Sequence, residues 1–141
     1  MISESACDDR GMIDPLPVLV VDDQAPFRSA MKAVLRRSPE FDLAGEAASG
    51  AEAIAMADEL HPALVLMDIN MPEMNGIEAT RRIVSSHPDV VVVLCSTYEV
   101  GDLPPEAATS GARAYINKEH LGADILRRLW AERDSGGFIT S

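Results

Sequence analysis

Short runs of consecutive apolar residues alternate along this chain with stretches where apolar residues recur every three or four positions. Val18-Leu19-Val20-Val21 is a branched, uninterrupted run, the pattern of a strand buried on both faces. After it, Phe27, Ala30, Met31, Val34 and Leu35 fall at i, i+3, i+4, i+7 and i+8, an amphipathic helix with Pro26 in its first turn. Residues 42–47 read as a weak second strand. Ser49 followed by Glu52 matches a capping box, and Ala53, Met56, Ala57 and Leu60 supply the apolar stripe behind it. A third strand is expected over 63–67, then a loop through Pro72 and the turn pair Asn75-Gly76, then a helix over 77–86 ended by Pro88. Residues 90–95 make a fourth strand. Gly101 and Pro104-Pro105 interrupt the next stretch, so a helix there is expected to begin near Pro104 and end at Gly111. A fifth strand over 114–117 leads to a last helix carrying Leu121, Ile125, Leu126, Leu129 and Trp130.

Five strand-then-helix units in alternation predict an α/β fold, a doubly wound (βα)5 arrangement on a five-stranded parallel sheet. Strands one, three and four are nearly all apolar, whereas the second is mixed and the fifth short, which assigns those two to the edges and favours the order 2-1-3-4-5. The 141 residues suit one domain. Residues 1–15 are polar and aperiodic and read as a flexible leader, 16–131 as the domain, and 132–141 as a tail.

Composition narrows the partners. A net charge of −11 repels phosphate backbones and anionic lipid, which argues against direct nucleic-acid binding and against membrane docking. The pairs Arg36-Arg37, Arg81-Arg82 and Arg127-Arg128 read as solvated helix faces. His61, His87 and His120 share no spacing and read as surface residues. The longest apolar run is too short to cross a membrane, and the N-terminus lacks a basic-then-apolar signal pattern. Cys7 and Cys95 are far apart and outside any ligand or redox spacing, so a reduced, cytoplasmic protein is expected.

In an open parallel sheet, ligands bind beyond the carboxyl ends of the strands, near the point where strand order reverses. Asp22 and Asp23 follow strand one, Asp68 strand three, Ser96 and Thr97 strand four, and Lys118 strand five. Each alone has a bland explanation: a turn acid, a loop hydroxyl, a solvated lysine. Their convergence from four strands on one sheet edge does not. Crowded carboxylates are costly unless a cation joins them, and Asp oxygens completed by water and a phosphate oxygen suit Mg2+. A lysine and a hydroxyl aimed at the same point stabilise a transferring phosphoryl group, with the central Asp68 as nucleophile.

These residues resemble the receiver domain of two-component response regulators. The run Val18-Leu19-Val20-Val21-Asp22-Asp23 resembles the family's first strand and acidic pair, and residues 67–79, from Met67-Asp68 through Pro72 to Asn75-Gly76, its phosphoacceptor loop. Leu94-Cys95-Ser96-Thr97 resembles the hydroxyl-bearing end of strand four, and residues 111–118 the strand leading to the family's lysine. The likeness covers about residues 16 to 131. It implies a flavodoxin-like fold in which Asp68 takes a phosphoryl group from a histidine of a sensor kinase or phosphotransfer protein. It further implies that Asp23, Asp68 and the Asn70 backbone carbonyl bind Mg2+ directly and that Asp22 acts mainly through water. Lys118 would contact the phosphoryl group and Ser96 would swing toward it. Tyr115 would follow inward, reshaping the surface of the fourth helix, fifth strand and fifth helix for a downstream protein, as a monomer or a phosphorylation-dependent dimer. Asn70 and Tyr98 would tune the lifetime of the phosphorylated state.

The chain departs from the pattern in three places. Glu119 stands after Lys118 where many members have proline, Ser96 and Thr97 both offer a switch hydroxyl, and Pro104-Pro105 should shorten or shift the fourth helix. Three other readings compete, of which a pure binding scaffold is disfavoured because it would need neither the acids nor Ser96 and Lys118. Only about ten residues follow Trp130, too few for an output domain, so a single-domain regulator is expected over the receiver fragment of a DNA-binding transcriptional regulator. An aspartyl-phosphate phosphohydrolase needs a general acid two residues after the nucleophile, where Asn70 stands and cannot serve. A conventional enzyme is therefore not expected.

Overall fold

The computed structural model describes residues 14–141. Most of the leader read over 1–15, with Cys7, lies outside the described residues. Six strands, β1 (Leu16–Val21), β2 (Phe41–Ala47), β3 (Leu64–Asp68), β4 (Val91–Ser96), β5 (Ala114–Asn117) and β6 (Ile139–Thr140), form one sheet in the order β2-β1-β3-β4-β5-β6. Every pairing is parallel. The helices are α1 (Ala25–Arg36), α2 (Gly50–Leu60), α3 (Gly76–Ser86) and α4 (Ala123–Ala131).

Alternation along each central strand divides its side chains between two cores. Leu19, Val21, Val65, Met67, Val92, Leu94 and Tyr115 face α2 and α3, while Val18, Val20, Leu64, Leu66, Val93, Cys95 and Ile116 face α1 and α4. This is why β1, β3 and β4 carry almost no polar residue: both of their faces are covered. The Ser49 cap forms, its Oγ accepting from the Glu52 amide at 3.1 Å, while Glu52 Oε1 reaches one residue past the N-cap to accept from the Ala48 amide at 2.6 Å.

The expected order 2-1-3-4-5 is present, with two differences. First, β6 pairs with β5, so β5 is not an edge, and the Ser141 and Asn117 backbones continue the pairing at 2.8 Å. Second, the fourth βα unit has no α-helix. Val100–Asp102 and Pro105–Thr109 are short 3-10 turns instead. Pro104 and Pro105 supply no amide donors, Pro104 is extended (φ −56°, ψ 136°), and Gly111 at φ 100° turns the chain toward β5. Between these boundaries the chain closes in i to i+3 turns, such as the Ala107 amide to the Pro104 carbonyl at 3.0 Å, and no α-helix forms. Along α1 the apolar stripe also divides: Met31, Val34 and Leu35 are buried, whereas Ala30 is exposed and Phe27 joins neither core.

Candidate phosphoryl-transfer site

Strand register brings the polar residues together. Val21 pairs with Met67, which sets Asp22 beside Asp68, and Asp68 pairs with Cys95, so Ser96 stands one residue beyond. Ser96 in turn pairs with Asn117, and Lys118 follows. One carboxylate oxygen from each of Asp22, Asp23 and Asp68 lies within 4.8 Å of the others. Among the described residues no other three His, Cys, Asp or Glu side chains converge in this way. Asp22 is fully buried and Asp68 only 3% exposed; Asp23 is the more open of the three.

Lys118 joins the two buried acids, its Nζ 2.8 Å from Asp22 Oδ2 and 3.1 Å from Asp68 Oδ1. One ammonium does not neutralise the site. Burial, and next the charge of Asp22, push the Asp68 carboxyl up from 3.8 to about 6, with Lys118 only partly opposing them. Burial works against the charged form of Lys118 as well. Its hydrogen bond to Asp22 and the charge of Asp68 outweigh that and raise its pKa. The donor set is all oxygen and carries surplus negative charge, so it fits a hard divalent cation such as Mg2+.

The loop after β3 depends on close backbone approach. The Gly76 amide donates to the Ile69 carbonyl at 2.8 Å, and a Cβ on Gly76 would stand 2.0 Å from the Asp68 carbonyl oxygen. Only glycine lets α3 start this close to Asp68. Asn75 caps α3 by accepting from the Glu78 amide at 3.0 Å. The sequence marked Asn75-Gly76 as a turn and missed this packing role. It also missed Arg28, whose guanidinium donates to the Asp22 carbonyl at 2.7 Å and to Glu46 at 2.9 Å.

Across the sheet edge, Ser96 is 1% exposed and Thr97 is exposed. The Tyr115 hydroxyl lies 2.6 Å from the Tyr98 carbonyl and 3.1 Å from Ser96 Oγ. Its single proton goes to the closer carbonyl, which leaves Ser96 Oγ to donate to the phenol oxygen while accepting from the Tyr98 amide at 3.0 Å. Asn117, unnoticed in the sequence, also donates to the Tyr98 carbonyl, at 3.1 Å. Tyr115 is fully buried, so the structure describes the inward position of the ring. At the mouth of the site Tyr98 donates to Asn70 Oδ1 at 3.3 Å. His61 and His87 stack edge to face, with His87 hydrogen-bonded to Asp58 at 2.7 Å, away from these residues. The Cys95 thiol is buried and pushed up to about 12 by that burial.

The response regulator receiver domain family matches residues 18–129. The chain belongs to that family. This receiver is 34% identical over 124 residues to the transcriptional regulatory protein DegU of Brevibacillus brevis, covering 88% of this chain and 52% of DegU. It is 40% identical over 112 residues to the chemotaxis protein CheY of Thermotoga maritima, covering 79% and 92%. The chain thus spans about half the length of the transcriptional relatives it matches. Among solved structures, a LuxR-family two-component response regulator from Aurantimonas superposes with a TM-score of 0.78 at 25% identity, over 88% of this chain and 89% of that one. CheY in a CheX–CheY–BeF3–Mg complex from Borrelia burgdorferi gives 0.74 at 26% identity, over 83% and 88%. The fold is that of these relatives. Among the described residues no helix is long and apolar enough to cross a membrane.

Proposed function

We propose that this receiver is the phosphoacceptor of a two-component phosphorelay, with residues 16–131 as the receiver unit and 132–141 as a tail whose β6 extends its sheet. The observation that carries the reading is the single ammonium of Lys118 held between two buried carboxylates, beside a third and a buried hydroxyl. An Asp68 oxygen attacks the phosphorus of a phosphohistidine on a sensor kinase or phosphotransfer protein. As the O–P bond forms, the P–N bond breaks and its electron pair stays on the imidazole, which takes up a proton. Asp23, Asp68 and the Asn70 carbonyl would hold Mg2+, with Asp22 acting through water; the ion supplies charge neutralisation for the phosphoryl oxygens. Lys118 moves from its bridge between carboxylates to a phosphoryl oxygen. The Ser96 hydroxyl turns from the Tyr115 phenol to another. That exchange alters the Tyr98 and Tyr115 contacts and so the β5 surface offered to a downstream protein, a coupling of about 1–3 kcal/mol in typical switches. Burial and the bond to Tyr115 support Ser96, not Thr97, as the switch hydroxyl.

The chain assists its own phosphorylation and dephosphorylation and is no conventional enzyme. We place it in the cytoplasm, working by protein contact and without binding nucleic acid itself. Likeness to DegU favours a second reading, the receiver of a transcriptional regulator; the chemistry at Asp68 is the same in both.

The test is intact-mass spectrometry after incubation with acetyl phosphate, with and without Mg2+, beside Asp68→Ala. A Mg2+-dependent gain of one phosphoryl group that the variant lacks is the expected result. No gain while Mg2+ demonstrably binds would overturn the reading.

A further inference from the structure

Phe27 occupies an apolar position on α1, yet it packs in neither core. Pro26 lies in the first turn of α1, and the Phe27 amide donates to the Gln24 carbonyl at 3.1 Å, so the ring is presented from the segment that immediately follows Asp22 and Asp23. The Lys118 ammonium lies 3.8 Å from the centroid of that ring. This is well inside the range in which a cation is attracted to an aromatic face. The same ammonium bonds Asp22 and Asp68, and its side chain is only 10% exposed. Two carboxylates and one ring face therefore surround it.

The arrangement answers a problem posed by the chemistry. A lysine on a flexible four-carbon stem must leave its bridge between carboxylates and reach a phosphoryl oxygen without swinging into solvent. Carboxylates direct the ammonium, but they become occupied when a cation and a phosphoryl group arrive. The ring face has no hydrogen-bonding demand of its own. It attracts the ammonium in either position and excludes water from one side of it.

We propose that Phe27 is a positioning residue for Lys118, an aromatic rest that keeps the ammonium over the phosphoacceptor while its anionic partners change. This rests on the phosphoacceptor reading above and adds to it a residue outside the acid, hydroxyl and lysine set.

The test compares Phe27→Leu, which keeps apolar bulk and removes the ring, with Phe27→Tyr and Phe27→Trp, which keep a face. Phosphorylation by acetyl phosphate at saturating Mg2+ is expected to slow about three- to tenfold in Phe27→Leu and to stay near the wild-type rate in the other two. NMR of the metal-free full chain gives a readout independent of phosphorylation. The Lys118 CεH2 protons should be shifted upfield by the ring current in the wild type and return toward free-lysine positions in Phe27→Leu. Absence of that shift in the wild type overturns the proposal. So does a wild-type rate in Phe27→Leu, or an equal loss in all three variants. If the wild type takes no phosphoryl group, the phosphoacceptor reading fails, and the ring-current shift still decides whether Phe27 holds Lys118.

Discussion

Replacing Asp68 with asparagine should stabilise the metal-free protein at neutral pH and remove part of its pH dependence. Burial and the charge of Asp22 raise the Asp68 carboxyl from 3.8 to about 6, and the attraction of Lys118 is already inside that balance. The folded protein therefore prefers the protonated acid. A group raised in this way contributes stability that is fully present below its unfolded value and lost as pH rises through the folded one, here between 3.8 and about 6. Roughly two pH units at about 1.4 kcal/mol each set an upper bound of about 3 kcal/mol. Asparagine is neutral throughout and its amide oxygen can still accept from Lys118. The stabilisation by Asp68→Asn should thus grow from near nothing at about pH 4 to about 3 kcal/mol at about pH 7.5. Urea unfolding in EDTA measures it, followed by the fluorescence of the single tryptophan, Trp130, whose ring meets Phe41 edge-on at 6.2 Å and loses that packing on unfolding. A difference between the two proteins that does not change with pH, or a variant less stable at neutral pH, would refute the reasoning.

Lys118→Met leaves Asp22 and Asp68 facing each other without a cation, and it should cost about 3–5 kcal/mol at neutral pH in EDTA, with part recovered on adding Mg2+. Equal urea midpoints for variant and wild type would show that the lysine does not offset the buried charge. Tyr98→Ala opens the mouth that Tyr98 and Asn70 close at 3.3 Å, so loss of the phosphoryl group to water should accelerate several-fold by intact-mass decay; unchanged decay sinks that account. Gly76→Ala must move either the start of α3 or the end of β3, at a cost above about 2 kcal/mol, and an unaltered melting profile would contradict the 2.0 Å clash.

The central sheet was legible because its signals are redundant. Runs such as Val18–Val21 and Val91–Leu94 are buried on both faces, so apolarity alone identifies them and polarity immediately after them marks the sheet edge. The capping pair at Ser49 and Glu52 and the proline and glycine boundaries carry their own geometry. The features that stayed hidden depend on neighbours in space. Ile139-Thr140 is too short and too ordinary to announce a strand; its place is created by the unpaired edge of β5. The stretch after β4 looked like a shortened helix because propensity alone does not say whether the turns between Pro104 and Gly111 close at i+3 or i+4. Phe27 fits the helical stripe as well as Met31 does, and only the third dimension separates a core residue from one lying over Lys118.

Among the site residues, those legible in the sequence were the ones whose chemistry is conspicuous: three carboxylates, a lysine and a hydroxyl, each directly after an apolar strand. The ones missed act through backbone or ring face. Arg28 donates to the Asp22 carbonyl, Gly76 contributes the absence of a side chain, and Asn117 contributes an amide to the Tyr98 carbonyl. The two groups are connected by charge. Burying Asp68, with Asp22 beside it, raises its carboxyl and is unfavourable for folding at neutral pH, while Arg28, Gly76 and Asn117 hold the backbone around the site. A site whose acids are buried in this way stands to gain from a divalent cation, and it leaves Asp68 poorly solvated. Asp68→Asn is therefore expected to be more stable than the wild type for the same reason that it is expected to accept no phosphoryl group: it removes the buried ionisable carboxylate.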